Sequence, residues 1–425
     1  MVVDKLNKQG DIFTATLCKV LLITSFMNAA LRTGQTSPIT VFRILSILCI
    51  PFLLLRYFKL FAKELIFMGG LFILSLLQYY IFSITSLDLL AANYVHIIFI
   101  AVVYICVKIL FHLEQNYFSD NFYQFLDRFT LFTIILTFIE YSFSISIFPS
   151  TLARDCPSVF FWNENELCCA IFLMLPLYCL QWKKTRSIFI LIKMFSIIFF
   201  VYAFDCKILM LAILLMFILF FFFTNDKLRK HYKSTFLYIC IFLGLSVVLF
   251  FSIDFNIPSG KQYDVPPTFS SAVREPVMHI LKLERFYSAG SIFDRADAVI
   301  IGLQNLLKTG GFGIGLGGCL NILDGELATA KSMHNIFIQC IVELGIGFLI
   351  IYWVYISKLY SHATSLSWFK LCFFLTLPLS SSISSGGIMS NYMFWGIVFY
   401  VFLLKQEPWE KYNTNMKTIQ VPHEN

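Results

Sequence analysis

The stretch "SMHNIFIQCIVELGIGFLIIYW", Ser332 to Trp353, opens on a histidine and an asparagine and is then almost wholly apolar. Only Gln339 and Glu343 interrupt a run of roughly 20 residues, which is the length that a helix needs to cross a hydrocarbon core of about 30 Å. The stretch therefore predicts a membrane-spanning helix over 333–357. Its His334 either decorates a helix end or takes part in chemistry at a membrane surface.

The rest of the chain repeats this pattern. The 425 residues are 58% hydrophobic and 13% charged and include 49 phenylalanines, and the mean hydropathy of +0.77 lies outside the usual range of globular proteins. Short polar breaks separate the apolar runs, so the sequence predicts an all-α polytopic membrane protein with about twelve helices. These runs lie near 13–31, 39–57, 64–84, 88–111, 126–148, 164–182, 187–204, 206–224, 235–253, 333–357, 368–384 and 392–404.

Basic residues predict the orientation of these helices. Lys and Arg concentrate in alternate breaks, at 56–63, 183–186, 227–233, 358 and 405–417, and the positive-inside rule then places both termini in the cytoplasm. The net charge of +7 is spread between apolar runs, so we expect no nucleic-acid partner. The 12 cysteines lie mostly inside those runs without a CxxC pair, and we predict neither a disulfide framework nor a metal site.

One connection is far longer than the others. It covers 254–332 and divides the chain into helices one to nine (1–253), the loop itself, and helices ten to twelve with a tail (333–425). The orientation rule places this loop outside, and long loops are usually functional. Within it, "SIFDRADAVIIGLQNLLKTG" has apolar residues at helical spacing and predicts an amphipathic helix that ends at Gly310 and Gly311. The chain has no internal repeat, which disfavours an inverted-repeat transporter.

Two candidate sites precede the loop on the outer face. In "RDCPSVFFWNENELCCAIFLMLP", Asn165 lies among polar residues at a helix entrance, where ordinary capping is an equally good explanation. In "YAFDCKILMLAILL", Asp205 and Lys207 separate the seventh and eighth helices. Lys207 either snorkels to the membrane surface or binds a phosphate.

Two more candidate sites lie in and directly after the loop. Arg295 precedes the glycine-rich "GGFGIGLGG", which lacks the strand and helix that flank a P-loop, so we expect a flexible return. His334 follows, on the first turn of the tenth predicted helix, and is the side chain whose unperturbed pKa suits a base near neutral pH. Glu343 lies about 13 Å deeper and is not its partner. Asn335, Gln339 and Glu343 instead form a polar stripe that should face the helix bundle.

Together these residues suit one kind of chemistry. Cations near an outer membrane surface stabilise a departing diphosphate, and a histidine beside them takes the proton of an acceptor hydroxyl. The residues therefore predict a substrate that carries a lipid-linked diphosphate.

The arrangement resembles the bacterial O-antigen polymerase and O-antigen ligase superfamily. Three stretches carry the resemblance: "SVFFWNENELCCAIFLMLP", "SIFDRADAVIIGLQNLLKTGGFGIGLGG" and "HNIFIQCIVELGIG". It implies about twelve membrane helices with one large periplasmic loop between the ninth and tenth, in the bacterial inner membrane. It also implies inverting glycosyl transfer at the periplasmic face from an undecaprenyl-diphosphate-linked oligosaccharide, with no cofactor, neither nucleotide sugar nor metal. Membrane lipid and a chain-length regulator protein are the further partners implied.

The resemblance also assigns roles to residues. Arg295 would bind the diphosphate, His334 would activate the acceptor hydroxyl, and Asn165 and Asn335 would lie at the substrate. The sequence has "DCK" where many relatives have a Ser-Arg pair, and Lys207 supplies charge without the bidentate fork of an arginine.

Polymerase and ligase share this layout. From Asp254 to Ser332 the loop has seven Lys or Arg against eight Asp or Glu, so it lacks a basic surface for a phosphorylated lipid A core, and we favour the polymerase. A transporter or lipid flippase is the main alternative from another class, and its pathway would use the intramembrane ionisable residues Arg43, Glu140, Lys193 and Glu343. A purely structural membrane protein is the third hypothesis.

Overall fold

The computed structural model describes residues 2–31, 39–113, 118–148, 158–224, 268, 270–286, 291–324, 326–327, 333–362, 364–381 and 389–405. Within these residues the chain is helical and has no strand. The ninth predicted membrane helix, near 235–253, lies outside the described residues, as do residues 254–267 of the long loop.

The α-helices are numbered here in chain order. They are α1 (Val2–Phe26), α2 (Val41–Phe82), α3 (Leu87–Leu113), α4 (Phe118–Phe143), α5 (Glu164–Phe172), α6 (Leu175–Thr185), α7 (Ile188–Ala203), α8 (Lys207–Thr224), α9 (Glu275–Lys282), α10 (Ser291–Lys308), α11 (Gly318–Leu323), α12 (Ile336–Leu344), α13 (Ile346–His362), α14 (Ser365–Ser380) and α15 (Tyr392–Leu403). A short π-helical segment, Ser270–Arg274, precedes α9.

Several of these helices have the length and composition of membrane spans. Four described segments are long and apolar enough to cross a bilayer: Val41–Phe82, Leu87–Leu113, Phe122–Phe143 and Glu164–Thr185. Apolar helices of 10–17 residues include α7, α14 and α15. This is the composition of a helical membrane protein. The count of twelve crossings stays a prediction.

Several helix boundaries differ from the predicted ones. The second and third predicted helices form the single element α2, in which Tyr57 departs from helical geometry with φ −119° and ψ 22°. Next to this kink Arg56 pairs with Asp11 at 3.0 Å. The basic residues that were predicted to separate two helices therefore lie within one continuous helix. The sixth predicted helix is divided at Leu173 and Met174, and α6 begins at Leu175 with Pro176 in its first turn, because a proline cannot donate the backbone hydrogen bond of a helix interior.

The chain forms two compact units. The first unit contains Met1–Phe61, Phe99–Ile197 and Asn391–Asn425. Aromatic rings fill it, as where Phe26 meets Phe129 edge to face with 5.2 Å between ring centroids. Gly396 of α15 lies so close to Phe26 that a Cβ would come within 2.8 Å of the ring.

The second unit contains Ala62–Ile98 and Ile198–Ser390. In it α8 and α13 pack against α14, and α10, α11 and α12 pack on one another. A buried apolar cluster joins these last three helices, and it includes Ala298, Ile301, Ile314, Cys319, Met333 and Val342. Because α10 and α12 are held together by this cluster, Arg295 and His334 are carried by one packed body.

Candidate functional site

The site begins where α10 meets the segment before α12. Gly302, in the middle of α10, has no room for a Cβ, which would collide with the Met333 side chain and lie 3.2 Å from Val342 Cγ2. Met333 is itself almost completely buried. The absence of a side chain at Gly302 therefore leaves space for the Met333 side chain, from the residue before His334, to pack against α10.

His334 does not lie on the first turn of a helix, as predicted, but directly before Asn335, the N-cap of α12. Its φ is +49°, in the left-handed region that few non-glycine residues occupy. Residues in such conformations are held by their surroundings and cluster at functional sites. The ring is partly buried. The left-handed backbone of His334 is also unlike the backbone expected of a residue that only ends a helix.

The electrostatic environment keeps the His334 ring neutral. Partial burial lowers its pKa to about 4, and the Arg295 guanidinium contributes by disfavouring a second positive charge nearby. Arg295 itself lies exposed on α10. Of the five predicted site residues, these two are thus brought within electrostatic range of each other, and a neutral imidazole next to a cation can accept a proton when an anion binds there.

Asn335 has a structural task. Its side-chain oxygen accepts a hydrogen bond from the Ile338 amide at 2.9 Å, and its Nδ2 donates to the Pro378 carbonyl of α14 at 2.8 Å. The Ile336 amide donates to the Ser381 carbonyl at 3.3 Å. Asn335 therefore caps α12 and fixes it to α14, which holds the neighbouring His334 in position.

The tenth predicted helix is broken at Gly345, between α12 and α13, and the glycine-rich run is inserted into the break. The Ile314 amide donates to the Val342 carbonyl at 3.0 Å and the Gly315 amide to the Glu343 carbonyl at 3.0 Å. The Ile346 amide donates to the Gly311 carbonyl at 2.9 Å. The run is therefore hydrogen-bonded along its length.

The glycines of this run allow backbone to touch backbone. A Cβ at Gly313, whose φ is +90°, would lie 2.5 Å from the Glu343 carbonyl oxygen, and one at Gly345 would lie 2.5 Å from the Gly311 oxygen. Residues 313–319 are all buried. The prediction of a flexible return is therefore wrong for these residues, because the glycines serve close packing rather than mobility.

Two polar side chains of α2 and its C-terminal end complete this packing, and the sequence did not single them out. Gln78 Nε2 donates to the Phe312 carbonyl at 2.6 Å and to the Glu343 carbonyl at 3.2 Å. Thr85 Oγ1 donates to the Leu316 carbonyl at 3.1 Å. An isolated glutamine inside the apolar run "GGLFILSLLQYY" was the available signal, since a buried amide needs partners.

Glu343, next to the break, joins α12 to α11. Its Oε1 accepts a hydrogen bond from Gln339 Nε2 at 2.9 Å and from the Cys319 amide at 3.4 Å. Asn335, Gln339 and Glu343 are all buried, which confirms that the polar stripe faces the bundle. The partners of Glu343 belong to α11 and α12, so the carboxylate fixes the support of the site.

Lys207 begins α8 in the second unit and pairs with Asp205 at 3.5 Å. Asp205 has a φ of +56° and lies in the turn between α7 and α8, as predicted. The structure thus pairs Lys207 with this aspartate. A phosphate at this position would have to compete with the Asp205 carboxylate.

Asn165 lies in the first unit, half-buried at the start of α5. The neighbouring Asn163 and Glu166 form a reciprocal cap: the Glu166 amide donates to Asn163 Oδ1 at 3.0 Å, and Asn163 Nδ2 donates to Glu166 Oε1 at 3.0 Å. Asn163 is therefore the N-cap of α5, and the Glu166 side chain returns to the Asn163 side chain rather than to its backbone amide as in a capping box. Ordinary capping thus explains the roles of Asn163 and Glu166.

The four ionisable residues of the transporter hypothesis have specific partners. Besides Glu343, the Arg43 guanidinium lies over the Phe99 ring at 5.2 Å and Lys193 pairs with Asp127 at 2.6 Å. Glu140 accepts backbone hydrogen bonds from three residues, Ile147, Ser158 and Val159. Each group thus has a local structural task.

No protein-family model matches the chain, and no curated protein sequence matches it. The functional inference therefore depends on the site geometry and on the sequence pattern.

Proposed function

We propose that the chain is an O-antigen polymerase, a glycosyltransferase of the bacterial inner membrane that acts at the periplasmic face. It moves glycan from an undecaprenyl-diphosphate-linked donor to a lipid-linked repeat-unit acceptor. The observation that carries this proposal is that α10 and α12 pack on one buried apolar cluster, which puts Arg295 and the partly buried His334 on one packed body. A chain-length regulator protein is a partner under the same proposal.

The two residues supply the two requirements of the reaction. The acceptor hydroxyl donates its proton to His334 as its oxygen bonds to the anomeric carbon of the donor. The bond from that carbon to the diphosphate breaks, and its electron pair leaves with the diphosphate, whose charge Arg295 stabilises. Attack opposite the leaving group inverts the anomeric configuration, and the proton on His334 passes to solvent.

Substrate binding strengthens the base. In the free protein burial and, to a smaller extent, Arg295 hold the pKa of His334 at about 4, so the ring is neutral at neutral pH. A diphosphate bound at Arg295 offsets the guanidinium charge and favours the imidazolium. The pKa of His334 therefore rises when the donor binds, which improves proton acceptance during the reaction.

An O-antigen ligase is the second candidate, because the same pair would serve transfer to lipid A core. The loop's seven basic residues against eight acidic ones support the polymerase. A transporter has less support, since its four candidate residues are engaged in capping, stacking and ion pairing.

Gene deletion followed by lipopolysaccharide gel analysis tests the proposal. A polymerase deletion leaves core carrying a single repeat unit, whereas a ligase deletion leaves bare core and accumulates lipid-linked polymer. An unchanged ladder would contradict both candidates. Complementation with His334→Ala should reproduce the deletion with normal protein in the membrane.

His362→Ala is the matched control for that experiment. His362 is an exposed histidine at the end of α13 whose Nδ1 lies 2.7 Å from the Lys358 carbonyl oxygen. Its replacement should restore the full ladder. Restoration by His334→Ala as well would remove that histidine from the mechanism.

A further inference from the structure

Three apolar side chains are exposed next to one another in the second unit. Leu307 at the end of α10 is 65% exposed, Phe312 in the glycine-rich run 71%, and Ile346 at the start of α13 48%. We call these three residues the apolar edge. All three belong to described segments with hydrogen-bonded backbones, so their exposure is a feature of a packed structure.

Backbone contacts hold the apolar edge together. The Gly310 amide donates to the Leu307 carbonyl at 2.9 Å and the Phe312 amide to the Thr309 carbonyl at 3.2 Å. A Cβ at Gly311 would lie 2.5 Å from Ile346 Cδ1. The turn after α10 therefore brings Leu307 and Phe312 to the start of α13.

The apolar edge continues along α13. Ile350, Trp353 and Val354 follow Ile346 at helical spacing and are all exposed. At 1.5 Å per residue the 17 residues of α13 extend roughly 25 Å, slightly less than a hydrocarbon core of about 30 Å. In the orientation predicted from the basic residues, the Lys358 end of α13 is at the cytoplasmic surface, and Ile346 then lies near the outer boundary of the hydrocarbon.

The charge beside the apolar edge fits the same location. Lys308 is exposed next to Leu307, and a lysine at a membrane boundary keeps its stem in apolar surroundings while its ammonium reaches the headgroup phosphates. Single exposed apolar residues are common on any surface, but a contiguous patch that continues along the exposed apolar face of α13 marks an interaction surface.

We propose that the apolar edge inserts among the acyl chains of the outer leaflet and anchors the end of α10 and the glycine-rich run in the membrane. The occupant is the hydrocarbon of ordinary membrane lipid, and the contact is independent of the reaction proposed above. The loop predicted to lie wholly outside would then be partly embedded, and Arg295 would be held at a fixed height over the bilayer.

The test uses the full-length protein in vesicles of phosphatidylethanolamine and phosphatidylglycerol, with and without bromine on the acyl chains. Phe312→Trp adds a fluorophore at the apolar edge, and Asp324→Trp adds one at an exposed polar position of the same unit. The signal of the unsubstituted protein is subtracted. Brominated lipid should quench the added signal at position 312 at least twofold more than at 324, and aqueous iodide should show the reverse order.

Leu307→Trp gives a second measurement at the apolar edge should the first variant fold poorly. Quenching of positions 312 and 307 by iodide and not by brominated lipid would place the edge in water and overturn the proposal. Protection from both quenchers would also overturn it, because a protein surface such as a second copy of the chain would then cover the edge.

Discussion

At the residue scale, the pKa of His334 depends on burial and on the charge of Arg295, and both lower it. The free protein holds the pKa of His334 near 4, so kcat/KM, which reports the free enzyme, should stay level as pH falls to about 5 and decline only near 4. The value of kcat reports the donor complex. It should begin to decline at higher pH than kcat/KM does, because the bound diphosphate raises the pKa of His334.

Arg295→Gln distinguishes this mechanism from a purely structural histidine. Loss of the guanidinium removes a repulsion, so the acid limb of kcat/KM should move to higher pH while the maximal rate falls. Rates with a lipid-linked donor across pH 3.5 to 8 measure both effects. An acid limb near 6.5 that Arg295→Gln leaves in place would contradict the coupling.

Substitutions at Arg295 should separate the effect of its charge from the effect of its hydrogen-bonding geometry. A guanidinium can form two parallel hydrogen bonds to a diphosphate and an ammonium cannot, and a hydrogen bond to a charged group contributes about 1.5–3 kcal/mol. Arg295→Lys should therefore lower kcat/KM by roughly 10- to 100-fold, and Arg295→Ala further. Arg285→Lys is the control, because Arg285 belongs to the same loop and pairs with Glu326 at 2.9 Å. It should leave kcat/KM within about twofold. An equal loss in Arg285→Lys and Arg295→Lys would indicate a general disturbance of the loop.

At the element scale, local signals predicted the amphipathic helix well and the helix break not at all. α10 ends at Lys308 and is followed by a turn at Gly310 and Gly311. This end could be predicted because helical spacing and termination by glycine are both local properties of the sequence. The break at Gly345 was missed because hydrophobicity continues through "ELGIGF". The amides that stabilise it come from the glycine-rich run, some 30 residues earlier in the chain, and from the Gln78 side chain of α2.

The packed glycine run has a direct consequence for stability. Gly313→Ala would place a Cβ 2.5 Å from the Glu343 oxygen at a φ of +90°, and such strain costs on the order of 2–4 kcal/mol. The melting temperature of the solubilised protein should fall by several degrees. Gly347→Ala is the matched control, because a Cβ there meets nothing within 4 Å and alanine favours a helix; similar melting temperatures for both variants would support the flexible return predicted from sequence.

At the scale of the whole molecule, the hydropathy pattern predicted helices but could not predict their grouping. Each compact unit is assembled from segments far apart in the chain, as where Asn391 Nδ2 in the first unit donates to the Glu166 carbonyl at 2.9 Å. Such pairings depend on which buried polar groups find partners, and an alternation of apolar and polar stretches does not encode that choice. The site was predictable in part for the same reason: His334 and Arg295 had chemical signals, whereas Gln78 became important only through its contacts.

The orientation of the chain decides which donor can reach the site. Basic residues at Lys183–Arg186 and after Lys405 predict that these points are cytoplasmic, because positively charged segments resist translocation. Alkaline phosphatase inserted after Asp324 should therefore be active, and the same enzyme fused after Arg186 inactive, while a fluorescent protein after Lys405 should fold and fluoresce. The opposite pattern would put Arg295 and His334 in the cytoplasm, where soluble nucleotide sugars are accessible, and would remove the reason to expect a lipid-diphosphate donor.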